Sequence, residues 1–352
     1  MEKVLITGSA GFIGYFLATK MIKEGFNVIG IDNINDYYSK ILKLDRLKQV
    51  GIEGNDISWN KIVKSTKYPN YRFIRLNLEE SKFLLDLFES ERFSFIIHLA
   101  AQAGVRYSVI NPWAYIQSNL TGFMSILEAC RYFCPDHLIF ASSSSVYGMN
   151  SKLPFSVNDN VDHPISLYAA TKKANELLAH SYSYNFHIPV TGLRFFTVYG
   201  PWGRPDMALH IFTEAIIQNR PIEIYNFGNM RRDFTYIDDI IESIFRLIRI
   251  PPIPVKVGSI QLSPATSYAP YRILNIGNNS PVNLLEFLAV IETKLKKISI
   301  KKFKEIPIGD VPVTWAEVEQ LFNLTKYRPE TSIQEGIGNF IDWYLSYYTQ
   351  DT

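Results

Sequence analysis

Tyr168 and Lys172 stand four residues apart in the run LYAATK, a spacing that puts a phenol and an ammonium one helical turn apart on the same face. The ammonium favours phenolate, so the tyrosine can act as a base near neutral pH. A serine run, ASSSSVYG at Ala141–Gly148, lies a short way upstream. In it Ser143 ends an expected strand, where its hydroxyl can bond the reacting oxygen, and Ser144 and Ser145 continue into the same pocket. Near the start, Gly8, Gly11 and Gly14 are spaced G-x-x-G-x-x-G between an apolar run and a helical pattern. Bare backbone there lets the chain approach a pyrophosphate, and the helix N-terminus supplies N–H donors and partial positive charge. Asp32 ends the next strand, where a carboxylate accepts from the adenosine ribose hydroxyls and repels a 2′-phosphate, favouring NAD over NADP. Taken singly these have ordinary alternatives: a capping Asp, a polar strand-end turn, a chance Y-x-x-x-K among 21 tyrosines. In this order they imply a hydride moved between NAD and a sugar.

The elements that must position these groups follow from periodicity. Strands are expected at Val4–Ile6, Val28–Ile31, Tyr71–Leu76, Phe95–Leu99, His137–Ser142 and Val190–Phe195, with a later strand at Ile273–Gly277. Helices are expected at Phe12–Glu24, Ser81–Ser90, Asn111–Phe133 (starting after Pro112), Leu167–Asn185, Leu284–Lys296 and Ile333–Tyr347. Alternating strands and helices predict an α/β fold, a Rossmann-type doubly wound parallel sheet with a smaller α/β substrate-binding lobe. The dinucleotide-binding domain is expected over residues 1–200 and the substrate lobe mainly over 201–347, with segments near 234–250 and 272–278 returning to the first. Lys43–Asn70 reads as a polar, irregular insertion over the cofactor side, and Pro251–Pro270 as a proline-rich surface loop.

At 352 residues, 47% hydrophobic and 20% charged, the chain has a globular balance, and a net charge of +2 gives no reason to invoke nucleic acid or an anionic membrane. No apolar run reaches the ~20 residues of a bilayer-spanning helix, and Met1–Gly8 leads straight into a strand, so no export signal is expected. Cys130 and Cys134 read as buried thiols of a reducing, cytoplasmic compartment. His98 and His163 have no partners suggesting a metal or a triad, and no metal site is expected.

On these motifs the chain resembles the extended short-chain dehydrogenase/reductases of the NAD-dependent epimerase/dehydratase family, over essentially its whole length. The carrying segments are DNINDYY at Asp32–Tyr38, HLAAQAGVRYS at His98–Ser108, the helix Ser166–Ser183, GLRFFTVYGPWGRPDMA at Gly192–Ala208, RRDFTYIDDI at Arg231–Ile240 and GDVPVTWA at Gly309–Ala316. The glycine and Y-x-x-x-K motifs specify only the superfamily, whereas AAQAGVR, TVYGPWGRPDMA and APYRILNIGN are similar to the UDP-glucuronate 4-epimerase branch of bacterial capsule synthesis.

The resemblance implies roles. Tyr168 would be the base, Lys172 the ribose ligand and activator, and Ser143 the third catalytic group. Retained NAD would be held by Gly8, Gly11, Phe12, Ile13, Gly14, Asp32, Asn33, Asn77, Leu78, Leu99, Ala100, Ala101, Gln102, Asn119, Tyr168, Lys172 and Phe195. The UDP-sugar would meet Arg106, Ser143, Ser144, Ser145, Tyr168, Thr197, Arg204, Met207, Tyr225, Arg232 and Asp310, with Phe196 passing the nicotinamide and sugar. Arg232 would grip the diphosphate, and Arg106 and Arg204 would serve an anionic substrate. Asn77 stands where relatives commonly carry Asp, and Pro307 where many carry Arg or Gln. The expected reaction is 4-epimerisation of UDP-glucuronate through a 4-keto sugar, with a neutral UDP-hexose or N-acetylhexosamine, or a non-catalytic nucleotide-sugar binder, as alternatives. Ser143–Ser145 holds neither the Asp-Glu pair of 4,6-dehydratases nor the Glu of decarboxylases. A homodimer built on Asn111–Phe133 and Leu167–Asn185 is implied, with Phe123, Leu127, Leu178 and Tyr182 as contact residues unless they face their own sheet.

Overall fold

The computed structural model describes residues 2–307 and 309–348. Its strands in chain order are β1 (Lys3–Thr7), β2 (Asn27–Asp32), β3 (Ile62–Lys64), β4 (Tyr71–Arg75), β5 (Phe95–His98), β6 (His137–Ser143), β7 (Val190–Phe195), β8 (Thr197–Tyr199), β9 (Ile222–Tyr225), β10 (Arg231–Tyr236), β11 (Tyr271–Ile276), β12 (Pro281–Asn283) and β13 (Lys301–Lys304). Eight of them form one sheet in the order β11-β7-β6-β5-β1-β2-β4-β3, parallel except for the edge strand β3. The strands are near-continuous apolar runs because helices cover both faces: Val4, Leu5 and Ile6 of β1 are fully buried. Chain order reverses between β1 and β5, and a doubly wound sheet opens its ligand crevice at that point. The smaller lobe carries a three-stranded sheet, β12-β10-β8, and the pair β13-β9. The chain passes back and forth between the lobes. β11 pairs with β7 in the main sheet. The helix Ile237–Leu247 returns to the first helix, Phe12–Lys23, where Glu242 meets Lys20 at 3.3 Å.

Four expectations need correction. Lys43–Asn70 is not irregular: a helix covers Lys40–Gln49, and Ile62–Lys64 is β3. Its polarity misled because two of its inward residues are charged but satisfied. Arg46, fully buried, donates to the carbonyls of Ala10 (3.0 Å) and Trp202 (2.6 Å) and to the Tyr38 hydroxyl (2.7 Å). The helix expected at Asn111–Phe133 begins at Pro112, with Asn111 as its cap, but contains a π-helical stretch, Ile116–Thr121. The wider turn leaves the Asn119 carbonyl to the side chain of Asn175, which donates to it at 2.6 Å. Cys134 is exposed, not buried, because it lies beyond the end of the helix Gly122–Tyr132. Phe123 and Leu127 are fully buried against the chain's own sheet and are not available for a partner.

Candidate active site

The glycine turn is dictated by contact. Gly8 has φ +75°, and a Cβ on it would lie 2.9 Å from the Ala100 nitrogen, two residues past the end of β5. A Cβ on Gly14 would lie 2.1 Å from the Gly8 carbonyl oxygen. The helix that follows is capped by Gly11 without a side-chain acceptor, so its first N–H groups remain open to an anion. Asp32 sits at the tip of β2, where its two oxygens accept from Ala10 N (3.2 Å) and Ile34 N (2.8 Å). Tyr168 and Lys172 occupy the first turns of the helix Leu167–Phe186, which starts where Ser166 accepts from Ala169 N at 3.1 Å. Ser143 ends β6 and accepts from the backbone N–H of Ser145 at 3.2 Å.

Two joined cavities follow. The first, ≈ 270 Å³, lies over the switch point between the glycine turn and Lys172. The second, ≈ 820 Å³, runs from Ser143 and Tyr168 into the smaller lobe. They share Tyr37, Ser143, Tyr168, Phe195, Phe196, Val198, Arg204 and Met207. Lining the first are Gly8, Gly11, Phe12, Ile13, Gly14, Asp32, Asn33, Leu78, Leu99, Ala100, Ala101 and Gln102 from the cofactor set. Asn77 and Asn119 do not reach its wall. Asn77 accepts from the Asn33 amide at 3.2 Å behind it. Asn119 is buried and braces the loop after β5, accepting from Gln102 N (2.8 Å) and donating to the Gln102 carbonyl (3.1 Å). Every residue of the substrate set lines the second cavity: Arg106, Ser143, Ser144, Ser145, Tyr168, Thr197, Arg204, Met207, Tyr225, Arg232 and Asp310.

The electrostatics depart from the expectation drawn from spacing. Burial pushes the Tyr168 phenol up, and the opposing influences are the Ser143 hydroxyl and the Arg204 guanidinium. The Lys172 ammonium lies 6.0 Å from the Tyr168 ring centroid and donates to the Ala141 carbonyl at 2.9 Å. Burial pulls Lys172 itself down to about 8. One of its three donors is thus placed on the backbone, while the side chain lines the cleft. His98 is structural: it is buried, stacked on Phe123 and bonded to Thr7 at 2.9 Å, and burial takes it down to about 3. At the far end of the second cavity Asp310 is bracketed by Arg232 (2.8 Å) and Arg106 (3.5 Å), and Arg106 stacks over Tyr225 at 4.5 Å. Three groups escaped the sequence reading. Asp206 holds Arg204 through two bonds (3.0 and 2.6 Å) and accepts from the Tyr37 hydroxyl at 3.0 Å, closing a latch between the lobes. Lys43 lines the first cavity with its ammonium on the Asn35 carbonyl (2.9 Å) and side-chain oxygen (2.6 Å). Tyr37 and Asp206 were visible only as members of quoted motifs, and Lys43 lay in the stretch read as irregular. Among the described residues no cluster of His, Cys, Asp or Glu could hold a metal ion.

The residues present fit a dinucleotide: a turn with no room for Cβ atoms, an uncapped helix N-terminus, a strand-end carboxylate and a buried ammonium line one crevice. Comparison with known proteins agrees. The family model described as NAD dependent epimerase/dehydratase family matches residues 4–257. Protein CapI of Staphylococcus aureus is 55% identical over 347 residues, covering 98% of this chain and 99% of that protein. A probable UDP-glucuronate 4-epimerase of Rhizobium meliloti is 43% identical over 348 residues, covering 98% of each. The crystal structure of UDP-glucuronic acid 4-epimerase from Bacillus cereus, in complex with UDP-glucuronic acid and NAD, has a TM-score of 0.81 to this chain at 30% identity, covering 98% of this chain and 100% of that one. Fold, crevice and similarity along nearly its full length make this chain a member of the NAD dependent epimerase/dehydratase family.

Proposed function

We propose that the protein is an NAD-dependent UDP-sugar 4-epimerase whose substrate is UDP-glucuronate, converted to and from UDP-galacturonate. The observation that carries this reading is the meeting of the two cavities at Tyr168, with a dinucleotide crevice on one side and an arginine-flanked chamber on the other. NAD, held in the crevice of the glycine turn and Asp32, would supply a reversible hydride acceptor for C4 of the sugar. Tyr168 removes the proton of the 4-hydroxyl and gives it back, with Ser143 and Arg204 favouring its phenolate against burial. Lys172, which lines the same crevice, would hold the cofactor ribose. Arg232, partly neutralised by Asp310, and Arg106 receive the diphosphate end. The 4-keto acid formed from glucuronate is prone to lose CO₂, so its carboxylate needs a polar grip that keeps it poorly aligned for expulsion. Ser144 and Ser145 line the chamber as that grip, and Arg204 adds charge. No carboxyl group lies at Ser143–Ser145 to drive elimination. The deciding assay mixes purified protein with UDP-glucuronate, without added NAD, and follows the product by NMR. UDP-galacturonate is expected, and preference for UDP-glucose over UDP-glucuronate would overturn the substrate assignment. Replacing Ser144 and Ser145 together by Ala should lower kcat/KM for UDP-glucuronate selectively, since hydrogen bonds to a charged group contribute ~1.5–3 kcal/mol, and should release CO₂. Equal weakening toward both UDP-sugars with no CO₂ would remove the serines from the carboxylate.

The working unit is a homodimer with two-fold symmetry. What supports it is apolar side chains left bare on the two long helices and just before them: Trp113 (72% exposed), Leu177 (60%) and Tyr184 (60%), beside Val109 and Ile110. A dimer mass is expected in light scattering at micromolar concentration, and a monomer would contradict it. Two free thiols, one of them exposed, suit a cytoplasmic enzyme, and no described helix is long and apolar enough to cross a membrane.

A further inference from the structure

Asp233 follows Arg232 on β10, yet it points away from the chamber and is fully buried. Its carboxylate is met by three backbone N–H groups from two separate segments. Asn278 N donates to Oδ1 at 2.8 Å, Asn279 N to Oδ2 at 3.0 Å and Ala316 N to Oδ2 at 2.9 Å. Residues 278–279 follow β11 of the main sheet, whereas Ala316 belongs to the stretch 309–316 that carries Asp310. That stretch runs beside β10, with Arg231 N donating to Pro312 O at 2.9 Å and Thr314 N to Arg231 O at 3.0 Å. The indole N–H of Trp315 donates to the Asn279 side-chain oxygen at 2.7 Å, a second tie between the same two segments. A few residues before these ties in the same stretch, Asp310 bonds Arg232 and Arg106 at the end of the chamber.

We propose that Asp233 is a positioning residue, a buried three-point clamp that fixes the 309–316 strap and through it the Arg232–Asp310–Arg106 group against the nucleotide diphosphate. The inference rests on the UDP-sugar reading of the chamber. Only an ionised Asp offers acceptors alone; Asn would turn a donor toward at least one of the three N–H groups and lose that bond, weakening the clamp. Catalysis at Tyr168 is on another element, so the clamp acts on substrate affinity and leaves the chemical step alone.

The test is UDP binding by calorimetry together with steady-state kinetics and retained NAD. Asp233→Asn should weaken UDP binding and raise KM by about tenfold, the size of one lost hydrogen bond to a charged group. Its kcat should stay within about twofold and its bound NAD should be unchanged. Trp315→Phe removes the second tie and should weaken UDP binding in the same direction, by less. Unchanged UDP affinity in folded Asp233→Asn, or a fall in kcat at constant KM, overturns the clamp. If Asp233→Asn does not fold, Trp315→Phe decides, and unchanged UDP affinity in it overturns the clamp equally. Failure of the unmutated protein to bind UDP would instead overturn the UDP-sugar reading.

Discussion

Tyr168→Phe should lower turnover by ~10²–10⁴-fold while leaving the fold and bound NAD nearly intact. Only a hydroxyl is removed from a side chain in the first turns of a well-capped helix, so packing hardly changes. What is lost is the group proposed to take the 4-hydroxyl proton. Burial raises the phenol, and Ser143 and Arg204 act against that rise without cancelling it. Single-turnover and steady-state rates on UDP-glucuronate, with the NAD content of the purified variant, check the result. Retention of more than about a tenth of the activity removes Tyr168 from the role of base.

Arg194→Met should be the most damaging single change to stability, costing about 3–5 kcal/mol. Glu176 continues the Tyr168, Lys172 face of the helix Leu167–Phe186 by one more turn and is buried with Arg194. The pair is bidentate, Arg194 Nε to Oε1 at 2.8 Å and Nη2 to Oε2 at 2.9 Å, and Ser142 donates to Glu176 at 2.7 Å. Burial pushes the Glu176 carboxyl up, but Arg194 and Ser142 outweigh it and hold it below its ordinary value. Its contribution to stability is therefore present above the unfolded-state pKa and lost as pH falls through the folded one. Removing Arg194 reverses the sign. The stranded carboxylate then prefers its proton in the folded state, so the variant should recover stability as pH is lowered toward the carboxylate range. Pairing Arg194→Met with Glu176→Gln should restore much of the loss, because no unpaired charge remains. Denaturant titrations of the three proteins test this, and a loss below about 1 kcal/mol in the single variant would refute it.

The sequence by itself determined whatever is local. Gly8, Gly11 and Gly14, Asp32, Ser143, Tyr168 and Lys172 were legible because strand and helix periods fix which side chains are neighbours within an element. The β-α-β alternation determined the parallel sheet, and with it the crevice at the reversal between β1 and β5. The arginine motifs pointed to the chamber, but not to how its charges would be shared. Arg106, Arg232 and Asp310 meet across more than half the chain, and Tyr37 reaches Asp206 from the other lobe, because sheet order brings their loops together. Spacing assigned Lys172 to the phenol, whereas three-dimensional placement sets its ammonium on the Ala141 carbonyl in the wall of the first cavity and leaves Ser143 and Arg204 to oppose burial at Tyr168. Polarity in Lys43–Asn70 read as an irregular insertion, yet Lys43 and Arg46 are buried because Asn35 satisfies the first and the carbonyls of Ala10 and Trp202 the second. Desolvation and long-range hydrogen bonding depend on what surrounds a group from every direction, and that exists only once the chain has folded.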